Sequence, residues 1–184
     1  LAYEVAVPAR YGDSMIRALM HAGEEFDATP YGTEALGVMR IEKGHAAGNE
    51  LNGQTTAQNL GMGRMVSKKK DSIGSTLSER AAMNTDDGLR LVGFKPVDPS
   101  ATLSAGSHFF TKGATPNMDT DQGWMTSVAY SPMLGHSIGL GFLNSGSDRM
   151  GEQLLAYDAL RGNDCEVEVV SAHFFDPEGK RLRD

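Results

Sequence analysis

The stretch Tyr31-Gly32-Thr33-Glu34-Ala35-Leu36-Gly37-Val38-Met39-Arg40-Ile41-Glu42-Lys43-Gly44 is the one from which the rest of this chain is read. Its apolar residues Ala35, Leu36, Val38, Met39 and Ile41 recur at helical spacing, so a helix is expected from Thr33 to Lys43. Gly44 stops it, because glycine takes the left-handed conformation that ends helices at no steric cost. The apolar positions wrap most of the way round, and such a helix is expected to be well buried. Arg40 and Glu42 interrupt that surface. An arginine on an apolar helix needs a partner, and Glu42 is too close in sequence to share its face. The two readings of Arg40 are a salt bridge to another segment and a ligand contact.

Toward the N-terminus, residues 2–7 alternate as a strand, with Tyr3, Val5 and Val7 on one face and Ala2, Glu4 and Ala6 on the other. A carboxylate in a strand ordinarily faces solvent. If the face is covered, Glu4 must be paired or hydrogen-bonded. Its small neighbours leave room for a flat ligand, and a carboxylate accepts two parallel N–H bonds from an aminopyrimidinone edge. Asp13 reads as the N-cap of a helix to Ala22, with Met15, Ile16, Leu19 and Met20 on one stripe and Gly23 as its stop.

Beyond Gly44, the Gly/Asn-rich segment from His45 to Gly53 reads as loop, and His45 and Asn49 are weak ligand candidates within it. A short helix is expected near Thr56–Leu60, and another after Lys70, where Thr76-x-x-Glu79 has capping-box spacing. The style changes at Leu89. Short β-like runs cover Arg90–Val97, His108–Thr111, Trp124–Tyr130, Ser137–Leu143, Gln153–Tyr157 and Glu166–Ser171, separated by Gly, Pro, Asn and Asp. That spacing suits a small antiparallel barrel or sandwich. With the boundary at Asn84–Gly88, the fold class is α+β: an α/β piece over residues 1–84, then an all-β barrel over 85–184.

Composition narrows the function. The chain has 184 residues and a formal charge of −7, which argues against a broad phosphate-binding surface and hence against nucleic acid. Lys68-Lys69-Lys70 has no interleaved aromatics and reads as a solvated loop. No apolar run approaches the roughly 20 residues of a membrane helix. The lone Cys165 excludes an internal disulfide, fits a reducing compartment and reads as a buried, inert thiol. Five histidines without ligand spacing give no metal site. Gly61-Met62-Gly63 and Gly139-Leu140-Gly141 lack the third glycine of a dinucleotide fingerprint, so turns and close packing are expected there. No Walker-type G-x-x-x-x-G-K loop is present. The start at Leu1-Ala2-Tyr3-Glu4 has no initiator Met, so the chain is expected to be part of a longer protein and to expose an apolar face.

Taken in order, several segments resemble the second half of the aminomethyltransferase (glycine-cleavage T-protein) family. Tyr3-Glu4-Val5-Ala6-Val7-Pro8 is similar to its aromatic-Glu-Ile-x-Val-Pro strand, and Met39-Arg40-Ile41-Glu42-Lys43-Gly44 to its Leu-Arg-Leu-Glu-Ala-Gly helix. Thr55-Thr56 and Ile73-Gly74 stand where that family has Thr-Thr-Pro and Phe-Ile-Gly. Leu91-Val92-Gly93, Thr126-Ser127, Ser131-Pro132-x-Leu134 and Ile138-Gly139-Leu140-Gly141 resemble its barrel strands. Where glycine-cleavage proteins carry Ala-Arg-Asp, this chain has Ala35-Leu36-Gly37, and an arginine ligand contact is missing. The runs Tyr31–His45 and Asp121–Pro132, and the ending Phe174-Phe175-Asp176-Pro177-Glu178-Gly179, resemble a particular branch, the alpha subunits of heterotetrameric sarcosine oxidases.

The resemblance implies a folate module in a cytoplasmic oxidoreductase. In such enzymes a flavin in another subunit oxidises an N-methyl amine, and tetrahydrofolate captures the one-carbon unit as 5,10-methylenetetrahydrofolate. Glu4 would hold the pterin edge, with Arg40 as a second folate-binding residue. Catalytic residues are expected upstream. FAD, FMN and NAD would sit elsewhere in the complex, with beta, gamma and delta subunits and the N-terminal part of alpha as partners. This region alone would be inactive. The alternatives are an aminomethyltransferase, a dimethylglycine oxidase-like folate domain, or a non-catalytic docking barrel.

Overall fold

The barrel follows from six short strands that turn their buried residues into one core. In the computed structural model, which describes residues 3–83, 85 and 87–183, β1 spans Leu89–Pro96, β2 His108–Thr111, β3 Gly123–Ser131, β4 His136–Asn144, β5 Gln153–Tyr157 and β6 Cys165–Val170. All pairings are antiparallel, and the strands close in the order β1-β4-β3-β2-β5-β6. In β6, Cys165, Val167 and Val169 are buried while Glu166 and Glu168 reach the surface. Closure leaves no strand edge to pair with another chain.

Inside, Val92, Phe94, Phe109, Met125, Leu143, Leu154, Val167 and Val169 form the core, with the Phe94 and Phe109 rings stacked at 4.0 Å between centroids. Gly141 permits this packing: a Cβ there would lie 2.7 Å from the Trp124 carbonyl oxygen and 2.9 Å from the Phe94 ring. The Gly139-Leu140-Gly141 run is thus a close-packing device, as its sequence suggests. Cys165 is buried, and burial first, then the nearby Asp98 and Glu166 charges, push its thiol pKa up.

β4 is buried on both faces over most of its length, which a barrel strand achieves only if its outer face is covered. The cover is the C-terminal end of helix α2 (Thr33–Glu42) and the segment after β6: Ile41 packs with Ile138 and Leu140, beside Ala172 and Phe174. Gly44, at φ +73°, lets the chain leave the helix against the barrel, since a Cβ there would meet the Ala172 carbonyl oxygen at 2.5 Å.

The chain divides into two compact units, residues 1–33 and 34–184. The first holds a helix, here α1 (Gly12–Gly23), between short 3-10 turns, and none of its described residues is buried. The strand expected over residues 2–7 is not formed. Ala2 lies outside the described residues, and Tyr3 to Val7 have no ladder partner within their unit, without which extended backbone is not a strand. Asp13 sits in the first turn of α1 rather than at its N-cap, and pairs with Arg17 at 2.9 Å.

Three further expectations change. Helix α2 is buried only at Ile41, with Leu36 and Met39 exposed, because the barrel covers its last turn alone. Residues 57–61 form turns rather than a helix. The third helix, α3 (Ser75–Ser78), begins after Gly74 at φ +90°, so Thr76 is inside it and builds no capping box. The barrel begins at Leu89 as expected, while Asn84 and Asp86 of the predicted boundary lie outside the described residues. No helix among the described residues is long and apolar enough to cross a membrane.

Candidate functional site

The chemistry-bearing side chains gather where the end of α2 meets β3. Arg40, one residue before the buried Ile41, turns its guanidinium toward the loop that follows. Its Nη1 donates to Glu50 Oε2 at 2.9 Å and its Nη2 to Ser127 Oγ at 2.6 Å. Glu50 is fully buried. Its Oε1 also accepts from the hydroxyls of Thr126 at 2.5 Å and Ser127 at 2.6 Å, and its Oε2 from the Ala47 amide at 2.9 Å. Ser127 thereby relays from cation to anion.

A β-bulge makes this possible. The β3–β4 register shifts between Met125 and Ser127, so two successive hydroxyls reach one carboxylate oxygen while Met125 stays in the core. Burial pushes the Glu50 pKa up, but the hydrogen bonds from Ser127, Thr126 and Ala47 and the Arg40 charge outweigh it and hold it below the usual carboxylate value. Glu50 is therefore an anion fixed in place. Beside it, Asn49 donates to the Thr126 carbonyl at 3.1 Å, and both residues line an open cavity of about 450 Å³ with Trp124.

The next residues of the same motif clamp the barrel in turn. Ser131 Oγ donates to Glu42 Oε1 at 2.5 Å, and the Glu42 carbonyl accepts from the amides of Phe174 and Phe175. Lys43 Nζ bonds the carbonyl and carboxylate of Asp176. Arg40, Ile41, Glu42 and Lys43 thus each contact the barrel or its C-terminal extension.

Of the residues singled out from sequence, Arg40 and Asn49 come together in this network, while His45 is exposed and meets Arg40 only through its backbone. Glu4 belongs to the first unit and is exposed there. Sequence reading missed Glu50 altogether. Its signal was indirect: an arginine on an apolar helix demands an anion, and Glu50 lies ten positions on in a loop without periodicity. Among the described residues no group of three or more His, Cys, Asp or Glu side chains is placed to hold a metal ion.

Residues 1–70 match the GCVT N-terminal domain model, and residues 90–176 the glycine cleavage T-protein C-terminal barrel domain model. The chain is 43% identical over 183 residues to a sarcosine oxidase subunit alpha of Rhizobium meliloti (strain 1021), which covers 99% of this chain and 18% of that protein. It is 38% identical to the corresponding subunit of Corynebacterium sp. (strain P-1), over 98% of this chain and 19% of that one. It is 31% identical to an aminomethyltransferase of Cutibacterium acnes, over 94% of this chain and 44% of that protein. The crystal structure of aminomethyltransferase T from Bartonella henselae shares the fold, with a TM-score of 0.70, 21% identity, and coverage of 89% of this chain and 45% of that one. The chain spans less than a fifth of the sarcosine oxidase subunits it matches. With regions that match both T-protein domain models in order, the chain is a homologue of sarcosine oxidase alpha subunits and a relative of aminomethyltransferases.

Proposed function

We propose that this chain is the folate-handling region of a sarcosine oxidase alpha subunit, which takes part in the oxidative demethylation of sarcosine to glycine. The observation that carries the reading is 43% identity across nearly the whole chain to such a subunit, against 31% to an aminomethyltransferase. Residues 1–84 are assigned to the C-terminal part of the folate-binding module and 85–184 to the barrel. The oxidising flavins (FAD and FMN) and NAD belong to other parts of a cytoplasmic complex, with beta, gamma and delta subunits and the N-terminal part of alpha as partners. The region alone is inactive, and its catalytic residues lie upstream.

The available donor and acceptor groups suit tetrahydrofolate. Glu4 presents an exposed carboxylate next to the small Ala6, chemically matched to the paired N–H donors of an aminopyrimidinone edge. Arg40 holds further N–H groups beyond those given to Glu50, Ser127 and His45, and an arginine carries five. Tetrahydrofolate, when bound, supplies a nucleophilic amine that takes up a formaldehyde-level carbon to give 5,10-methylenetetrahydrofolate. The chain's own part is to bind and orient, which raises the effective concentration of the reacting groups. Calorimetric titration of tetrahydrofolate into the full-length protein tests this. Saturable binding is expected, and its absence refutes the folate assignment.

A further inference from the structure

On the side of the barrel formed by β2, β5 and their following loops, the chain holds two apolar side chains out into solvent above a groove of about 380 Å³. Met118, in the β2–β3 connection, is 95% exposed, and Leu160, in the β5–β6 connection, is 90% exposed. Phe110 and Tyr157 line the same groove, edge to face at 6.0 Å, with Phe110 buried and Tyr157 half-buried.

Neither exposed side chain is on a slack loop. Asn117 Oδ1 accepts the amides of Asp119 at 2.9 Å and Thr120 at 3.1 Å, and its Nδ2 donates to the Thr115 carbonyl, so Met118 rides on a braced turn. Asp158 Oδ1 accepts the amides of Leu160 and Arg161, at 3.3 and 3.1 Å, and braces the other turn. Both tips are pre-organised outward although collapse into the adjacent groove would bury apolar area. A rigid apolar pair over an aromatic floor is the form of a contact surface, because ordering costs are already met before a partner arrives.

The charge around the groove is one-sided. Asp121 lines it, bonded to His108 at 2.6 Å; Asp119 follows Met118 on its turn; and Asp158, at the other end, is answered by Arg161 at 3.3 Å. Three carboxylates on or beside the groove thus stand against one guanidinium and one imidazole. A cationic group is favoured there, and a guanidinium also stacks on an aromatic ring such as Tyr157.

We propose that this groove is a docking site for a partner subunit, whose segment inserts an apolar side chain between Met118 and Leu160 beside an arginine or lysine directed at Asp119 and Asp121. The inference rests on the reading of the chain as part of a multi-subunit oxidase.

The test compares the full-length protein alone and assembled with its partner subunits, by hydroxyl-radical footprinting read by mass spectrometry. Labelling of Met118 and Leu160 is expected to fall about tenfold or more on assembly. The double change Met118→Asp with Asp119→Lys is expected to weaken assembly about tenfold or more while leaving the melting temperature unchanged, since buried apolar anchors dominate contact energetics. Leu160→Asp repeats the test should that variant fail to fold. Unchanged labelling, wild-type assembly of the variants, or Met118 already shielded in the partner-free protein overturns the proposal. So does a variant whose sole defect is in self-association. A wild-type assembly that protects Met118 but turns over no sarcosine refutes the oxidase reading alone. One that turns over sarcosine with Met118 fully labelled refutes the docking site alone.

Discussion

Replacing Glu50 by glutamine removes one charge from the network and changes little in shape. In the structure the carboxylate takes four donors, from Arg40, Thr126, Ser127 and the Ala47 amide, with no exposure to water. An amide presents one acceptor oxygen, and its NH2 group then opposes either Arg40 or the two hydroxyls. Breaking a buried pair by removing one partner costs about 3–5 kcal/mol where both charges are dry. Arg40 keeps 23% of its side chain exposed and can be partly rehydrated, which brings the expected cost to about 2–4 kcal/mol. For a chain of this size that is a fall of about 4–16 °C in melting temperature. The assay is urea unfolding followed by fluorescence of Trp124, the sole tryptophan, which lies on β3 two residues before Thr126. Arg40→Met in the Glu50→Gln background is expected to cost less than Arg40→Met alone, because the two changes share one interaction. A loss below about 1 kcal/mol for Glu50→Gln would refute the claim that this network fastens α2 to the barrel.

Ile41→Ala is expected to destabilise the same unit by about 2–5 kcal/mol, since Ile41 is 3% exposed between the helix and β4; denaturant melts check it. Gly44→Ala should cost about 1–3 kcal/mol from its left-handed backbone, with the clash on the Ala172 carbonyl added; soluble yield and melting temperature report it. The pH dependence has a defined sign. Glu50 and Asp176 both have folded pKa values below their unfolded ones: burial raises each, and hydrogen bonds and cations outweigh it. Their contribution is therefore present above the ordinary carboxylate range and is lost as pH falls through it, so melting temperature should drop between about pH 5 and pH 2, less steeply in Glu50→Gln.

The barrel was legible because its strands alternate and its turns carry Gly, Asp and Asn; all six runs were located to within a residue or so. The end of α2 was legible for the same local reason, with Gly44 as its stop. What could not be read depends on distance. Glu50 sits in a segment without periodicity, and its hydroxyl partners are 76 and 77 residues away. Two devices had no local signature either: the bulge that aims Thr126 and Ser127 together, and the Ser131 bond to Glu42. The expected strand at residues 2–7 had the right alternation, but alternation provides no ladder partner. The buried helix failed in a related way: of the apolar residues of α2, Ala35, Leu36 and Met39 are exposed, Val38 is half-buried and only Ile41, where the barrel meets the helix, is buried.

The central claim is that this chain serves folate capture rather than amine oxidation, and the fate of the sarcosine methyl carbon tests it most directly. In the full-length enzyme, supplied with sarcosine, oxygen and tetrahydrofolate, 5,10-methylenetetrahydrofolate and free formaldehyde are measured together for wild type and Glu4→Ala. The variant is expected to bind tetrahydrofolate about tenfold or more weakly, from the loss of about 1.5–3 kcal/mol per charge-assisted hydrogen bond. It should release formaldehyde in place of the folate adduct, with flavin reduction by sarcosine unchanged. Normal adduct yield in Glu4→Ala, or a loss of flavin reduction instead, would contradict the account.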